Sequence, residues 1–386
     1  LRDRLTQSRV AALQGVMKHA LATFDKRFVT FQNRQHILQT VHARIHIEET
    51  AEAHWNQAIR LSEQAIQVRL RRPRRVVQLE HSQQLWQAAI TQLQRVPSDS
   101  SLNLAATRKM ADFQQQLVED VDRYDRVRSH FLVSIAARTG LDLEQVHITV
   151  CTVDLLDCHR FNGDRPPVSA ASLIKLPIAV ALMQKLTDDD IDPDTLLYIH
   201  PDNATEDPSE LFAGRSFPLE EVMGRMIDQS SNIATNQLID YLGFDYINAV
   251  LEEQEFEGIV VRSKLMGDRI RPQRMGRGRN QITTDAMTQM MGEIYQRSVP
   301  GHELLISALL TQTDTRMAQA ALDGDEFTWL GEKTGWNSLV LGSTTAALIG
   351  DELYVMTVAT DRNTNTQIVQ EIIRAIATHI LENDGF

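Results

Sequence analysis

Ser172-Leu173-Ile174-Lys175 sets a hydroxyl and an amine three residues apart, so that on a helix they share one face and can reach each other. A serine hydroxyl is a poor nucleophile until a base removes its proton, and a lysine with a pKa lowered by desolvation or a neighbouring cation can be that base. Ser230-Ser231-Asn232 offers a second hydroxyl to relay protons and an amide able to hold Lys175 and a substrate amide at once. Lys333-Thr334-Gly335, followed by Trp336, places a cation and a hydroxyl side by side; on an edge strand they suit a substrate carboxylate, and the glycine permits close backbone approach. The chemistry these groups can do is acyl transfer through a serine ester. Each block alone also has a plain structural reading. Ser-x-x-Lys arises about once by chance in a chain of this size, Ser230-Ser231-Asn232 reads as a capped helix start, and Lys333-Thr334-Gly335 reads as a turn.

Order and spacing change that balance. The blocks follow one another as Ser-x-x-Lys, Ser-x-Asn and Lys-Thr-Gly, with 58 residues between Ser172 and Ser230 and 103 between Ser230 and Lys333. In this the chain resembles the class A β-lactamases and the related penicillin-binding proteins, which carry the same blocks in the same order. Ser169-Ala170-Ala171, Leu176-Pro177, Ala234-Thr235-Asn236 and Thr283-Thr284-Asp285-Ala286-Met287 extend the likeness, which covers roughly residues 138–386. The resemblance implies that Ser172 is acylated, Lys175 accepts its proton, Ser230 passes a proton to the leaving nitrogen, and Asn232 positions the lysine and the substrate side chain. It further implies that Lys333 and Thr334 face the substrate carboxylate, that the backbone N–H groups of Ser172 and Trp336 form an oxyanion hole, and that Asn236 ties down a loop.

One family feature is missing. The glutamate that hydrolyses the acyl-enzyme lies in a Glu-x-x-Leu-Asn segment between the second and third blocks; that segment is absent here, and the corresponding stretch from Val261 to Arg279 contains no glutamate. A penicilloyl ester should therefore persist, as in a penicillin-binding D,D-peptidase acting on peptidoglycan stem peptides. Asp268 is the alternative base, and would make the chain a working β-lactamase. Between Arg262 and Arg279 there are seven basic residues and one acid, with Pro272, Gly267, Gly276 and Gly278 marking a loop. This basic loop is either an inert surface stretch or an attractor of anionic stem peptides. The arginine that many relatives use for the substrate carboxylate has no counterpart just after the third block, and Arg316 is the substitute.

Behind the site stand two kinds of chain. Residues 1–135 hold 20 Lys+Arg and 13 Asp+Glu, whereas residues 136–386 hold 19 and 38, so the charge turns from +7 to −19 near the 130s. Residues 1–130 read as an all-α domain of long amphipathic helices broken by an arginine cluster at Pro73. That cluster is a solvated turn or an anionic-partner site. An echo of Trp55-Asn56-Gln57-Ala58-Ile59 in Trp86-Gln87-Ala88-Ala89-Ile90 raises helix-hairpin repeats, with an ordinary bundle as the simpler reading. From 138 to 386 the pattern is α/β (α+β). A strand at 146–153 returns through Cys158-His159-Arg160-Phe161, a helix runs from Ser172 to Leu186, a late hairpin spans 342–359 and a last helix spans 366–381, making an antiparallel sheet flanked by helices.

The acidic second half argues against nucleic acid, and no Cys/His spacing suits zinc, so neither metal nor cofactor is expected. Cys151 and Cys158 fall on one hairpin, either bridged or as two part-buried thiols. Expected ligands are a stem peptide or a β-lactam, with a protein partner through the helical domain as a separate role; a scaffold acting through that domain is the reading from another class. The resemblance places the chain in a bacterial periplasm or envelope. A sequence opening on Leu1 without an apolar stretch leaves a removed leader or anchor open.

Overall fold

The computed structural model describes residues 12, 14–16, 31–71, 76–206, 209 and 211–386. They form two compact units, Leu1–Arg128 and Ser129–Phe386.

The first unit contains α1 (Phe31–Arg71), α2 (Val76–Gln94) and α3 (Asn103–Arg128). Ala51, Ala58 and Ala65 recur every seven residues along α1, fully buried, and so let α1 lie close to the large residues Trp86, Ile90 and Leu93 of α2 and Phe113 of α3. Trp86 and Phe113 meet with ring centroids 5.2 Å apart. The echoed tryptophans are not equivalent: Trp86 is buried, and its indole N–H donates to the buried Asp120 carboxylate at 3.1 Å, while Trp55 only flanks the core. Ser82 donates to the same oxygen at 2.5 Å, so a carboxylate with no exposure is hydrogen-bonded where it would otherwise be costly. The turn expected at Pro73, with Arg72, Arg74 and Arg75, lies outside the described residues, as do most of residues 1–30.

In the second unit α4 (His130–Ala137) precedes β1 (Val146–Thr152) and β2 (Cys158–Phe161). Two short strands, β3 (Leu196–Tyr198) and β4 (Ser216–Pro218), pair separately, and three long strands, β5 (Phe327–Trp336), β6 (Val340–Ile349) and β7 (Glu352–Asp361), complete a sheet in the order β2-β1-β7-β6-β5, antiparallel throughout. Strands alternate their side chains between faces. Ile148, Val150, Met356 and Val358 join one core with Val369, Ile372, Ile373 and Ile376 of the last helix (Thr366–Asn383). A larger core gathers the helices on the far side. Between sheet and helix lies a buried threonine layer, in which Thr357 bonds Thr288 and Thr344 at 2.8 Å each. The antiparallel sheet flanked by helices is the architecture the sequence predicts.

Two expectations change. Ser172 is not on the α-helix that was expected to begin there: a 3₁₀ turn, Ala171–Ile174, carries it, and α5 (Lys175–Asp188) begins at the lysine. Ala171 has a left-handed φ of 44°, which tightens the entry, and Pro177 falls in the first turn of α5, where its missing N–H costs nothing. Cys151 and Cys158 stand directly opposite in the β1–β2 register and form a disulfide, so the pair of thiols is corrected to a bridge and no described cysteine is free.

Candidate active site

Ser172 is approached through a segment held from behind. The Val168 N–H donates to Asp361 Oδ1 at 2.9 Å, and Asp361 Oδ2 lies 3.4 Å from His147 Nε2. Ser169 Oγ accepts from Asn337 at 3.0 Å and from the Ala171 N–H at 3.2 Å. These bonds from the β5–β6 turn and the end of β7 restrain the segment that enters Ser172, including Ala171, whose left-handed backbone costs about 1 kcal/mol or more for a residue with a Cβ. Neither Asp361 nor Asn337 carries a sequence signal, because each acts across nearly the whole domain.

Lys175 opens α5 with no exposed surface. Its ammonium donates to the Ser230 carbonyl, to Ser230 Oγ at 3.0 Å and to Asn232 Oδ1 at 2.9 Å. Three acceptors match the three donors of an ammonium. For Lys175 to take a proton from Ser172, one of its own must first move on, and Ser230 is the adjacent hydroxyl. Ser230 Oγ also accepts from Lys333 at 3.1 Å, so the hydroxyl bridges two lysines. Burial lowers the Lys333 pKa to about 7, against the pull of Asp314, Glu332 and Asp228, so near neutrality this amine can itself receive a proton.

The second block is a helix start with a purpose. Ser231 caps α7 (Asn232–Leu242; α6 is Leu219–Ile227) by accepting from the Ala234 N–H at 3.1 Å, while Ser230, at a left-handed φ of 56°, turns towards the lysines. One turn on, Asn236 accepts from the Leu265 N–H at 2.8 Å and donates to the Leu265 carbonyl at 2.9 Å, so it does tie down a loop. Asn232 reaches the adjacent Met266 carbonyl at 3.3 Å. Leu265 thus lines the same cleft as Ser172, a position the sequence alone does not mark.

The third block ends β5, an edge strand, with Lys333 and Thr334 buried side by side. A Cβ on Gly335 would lie 2.8 Å from the Leu173 backbone N and 3.2 Å from the Ser172 N. Strand and 3₁₀ turn therefore come into close contact at Gly335, beside the two residues expected to form the oxyanion hole, Ser172 and Trp336. Because the obstacle is backbone, Gly335→Ala is expected to slow acylation by penicillin at least about tenfold, the cost of losing alignment of one oxyanion donor. Mass-spectrometric adduct kinetics beside a melting curve check this; an unchanged rate would remove the close approach from the argument.

Trp336 is 59% exposed. The Arg316 guanidinium lies over its ring, 5.7 Å from the centroid, and is already paired with Asp314 through bonds of 2.7 and 3.0 Å. Burial would raise Asp314, but Arg316 outweighs it and holds the carboxyl below its ordinary range. Arg316 therefore stands beside the site with its charge engaged. Asp268 is exposed and lies off the cleft.

The cleft itself, about 520 Å³, runs between the segment 168–172, Asn232, the end of β5 with Asn337 and Leu339, and the loop residues 263–267, 275, 276 and 278–280. No aspartate or glutamate lines it among the described residues. The described residues also hold no group of three or more His, Cys, Asp or Glu suited to a metal ion.

The family model described as the beta-lactamase enzyme family matches residues 138–383. A β-lactamase from Sphaerobacter thermophilus superposes with a TM-score of 0.56 at 21% identity, over 66% of this chain and 97% of that one. PBP-A does so with a TM-score of 0.57 at 21% identity, again over 66% and 97%. A second PBP-A structure, similar at 21% identity, is a mutant's acyl-enzyme complex with penicillin G. A β-lactamase from Chitinophaga pinensis gives 0.56 at 17% identity, over 66% and 98%. At such identities these structures speak for the fold. No curated protein matches the sequence.

Proposed function

The chain belongs to the beta-lactamase enzyme family, and from that premise we propose that it is a serine acyl-transferring enzyme whose acyl-enzyme is slow to hydrolyse, a penicillin-binding D,D-peptidase acting on D-Ala-D-Ala stem peptides. The observation that carries the second half is the cleft wall without a carboxylate among the described residues. In the first step Ser172 Oγ bonds to the carbonyl carbon and its proton passes to Lys175. The C–N bond then breaks, and Ser230 supplies a proton to the leaving nitrogen while regaining one from the lysines on either side. Lys333 and Thr334 hold the carboxylate of the leaving group, and the N–H groups of Ser172 and Trp336 hold the oxyanion. Deacylation then needs a base for water, and the cleft that Ser172 and Leu265 line offers no carboxylate among the described residues.

A stem-peptide substrate implies a site of action in the bacterial envelope, and Arg316, once released from Asp314, is the arginine that joins Lys333 and Thr334 at the substrate carboxylate. Among the described residues no helix is long and apolar enough to cross a membrane. Incubation with labelled penicillin, with adduct mass followed over time, tests the proposal. The expected outcome is one adduct, located at Ser172 and lasting minutes or longer. No adduct sinks the serine chemistry, whereas an adduct gone within seconds sinks the slow deacylation.

A further inference from the structure

Resting on that reading, we infer that the acyl donor carries extra negative charge on its acyl side, beyond the carboxylate of its leaving group, and that the arginine loop 262–279 recruits it. The loop divides its cations between two tasks. Lys264 is buried and donates to Asn203 at 2.6 Å and to the Gln273 carbonyl at 2.9 Å, with Asp240 at 2.8 Å; Arg274 meets the same Asp240 at 3.2 Å. These two cations anchor the loop. Arg269 lies beside Glu206, whose carboxylate accepts from the N–H groups of Arg269 and Ile270 at 2.9 and 3.2 Å. Arg262, Arg271, Arg277 and Arg279 are exposed and have no carboxylate partner among the described residues; Asp268, the loop's own acid, is exposed too.

The surface that carries them is built. Asn280 accepts from the N–H groups of Arg262 and Ser263 at 2.7 and 2.9 Å and donates to the Ser263 carbonyl at 2.9 Å. The Arg277 N–H reaches the Arg262 carbonyl at 2.9 Å, and Ser263 bridges to Gly276. Gly276 and Gly278 have left-handed φ of 84° and 101°, and a Cβ on Gly276 would strike the Arg262 backbone, so the two loop arms can close only with glycine there. Such an arrangement fixes Arg262, Arg277 and Arg279 beside one another despite their mutual repulsion, and Arg279 lines the cleft wall.

The rest of the domain decides which anion it is. Residues 136–386 carry −19, so a polyanion or an anionic bilayer pressed across the surface would be repelled. A small anion entering the cleft feels mainly charges within a Debye length of about 8 Å, and there the arginines dominate. With the leaving-group carboxylate directed to Lys333 and Thr334 on one wall, the opposite wall meets the acyl portion. Carboxylates on a peptide arm are the matching chemistry.

The test compares benzylpenicillin with a penicillin whose side chain bears a second carboxylate, as acylation rate constants at low and high salt. In wild type the ratio of dianionic to monoanionic probe is expected to exceed that in Arg262→Gln/Arg277→Gln/Arg279→Gln at least threefold, and to fall by a similar factor at 0.3 M salt. An equal ratio in wild type and variant overturns the inference while leaving serine acylation intact. If neither probe acylates, the underlying reading has failed, and Ser172→Ala protein is titrated with fluorescent D-Ala-D-Ala peptides bearing Glu or Gln upstream. Tighter binding of the Glu peptide, lost in the triple arginine variant, upholds the arginine surface; equal or absent binding rejects it.

Discussion

Leu265→Glu is expected to convert a persistent penicilloyl enzyme into a turning-over one, raising the deacylation rate at least about 100-fold, the usual worth of a positioned general base. The position is singled out by its backbone. Asn236 holds both the N–H and the carbonyl of Leu265 from α7, the helix whose first residue is also bonded to Lys175. Leu265 therefore keeps a fixed relation to the lysine and lines the same cleft as Ser172. A carboxylate there would face water approaching the ester from the wall opposite β5. The substitution removes a half-buried side chain packed on the core, a loss of about 1–2 kcal/mol, which leaves a domain of this size folded. Leu265→Gln is the control of equal shape, and Asp268→Asn should leave the adduct lifetime as it was. Adduct lifetime and steady-state nitrocefin hydrolysis provide the readout. A glutamate variant no faster than the glutamine variant would show that the loop does not present this residue to the ester.

How much of this was legible in the sequence follows from the range of each interaction. Ser172, Lys175, Ser230, Asn232 and Lys333 could be picked out because each block is a short run whose residues act together, and the structure gathers the side chains of Lys175, Ser230, Asn232 and Lys333 into one hydrogen-bonded group. Strands announced themselves by alternation, as in Val146–Thr152, and their register then closed Cys151 onto Cys158, which residue spacing alone could not decide. Illegible were the contacts that depend on where distant chain ends meet. Asp361 restrains the approach to Ser172 by its bond to Val168, 193 residues away in sequence. Leu265 is held on the cleft wall by Asn236, 29 residues earlier. The 3₁₀ entry at Ala171–Ile174 went unseen for a different reason: its left-handed alanine is imposed by surrounding bonds and runs against the local preference of the sequence.

Lys333→Met is expected to give a protein that is more stable but much slower to be acylated by a penicillin. Lys333 has no exposed surface, and burial lowers its pKa to about 7 from the ordinary 10.5. The folded state therefore disfavours the ammonium relative to the unfolded chain. Below pH 7 both states hold the proton and the destabilisation is complete; between 7 and 10.5 it shrinks as the unfolded chain alone stays charged; above 10.5 it is gone. A gap of this size sets a ceiling of roughly 5 kcal/mol. Methionine keeps the buried stem but leaves Ser230 Oγ and the Thr334 carbonyl each short of a donor, about 1 kcal/mol apiece. It also withdraws the cation from Asp314, Glu332 and Asp228. Of these, Asp314 stays paired with Arg316, while Glu332 keeps its bonds from Ser343, Ala318 and Gln319 and has its pKa raised by burial. A net gain of about 1–3 kcal/mol remains at pH 6, a rise of several degrees in melting temperature, and it should fade by pH 9.5. Acylation by a penicillin should meanwhile fall about 30-fold or more, since a charge-assisted bond to the substrate carboxylate is worth about 2–3 kcal/mol. A penicillin methyl ester, lacking that carboxylate, should lose far less. The same deprotonation gives the wild-type enzyme a pH limb: its preference for the free acid over the ester should decline as pH rises past 7, shifted upward by the bound carboxylate. A methionine variant less stable than wild type at pH 6 would mean that the buried ammonium is a structural support. A more stable variant that has lost the acid but kept the ester would make Lys333 a charge retained in the interior for the substrate, at the expense of the fold.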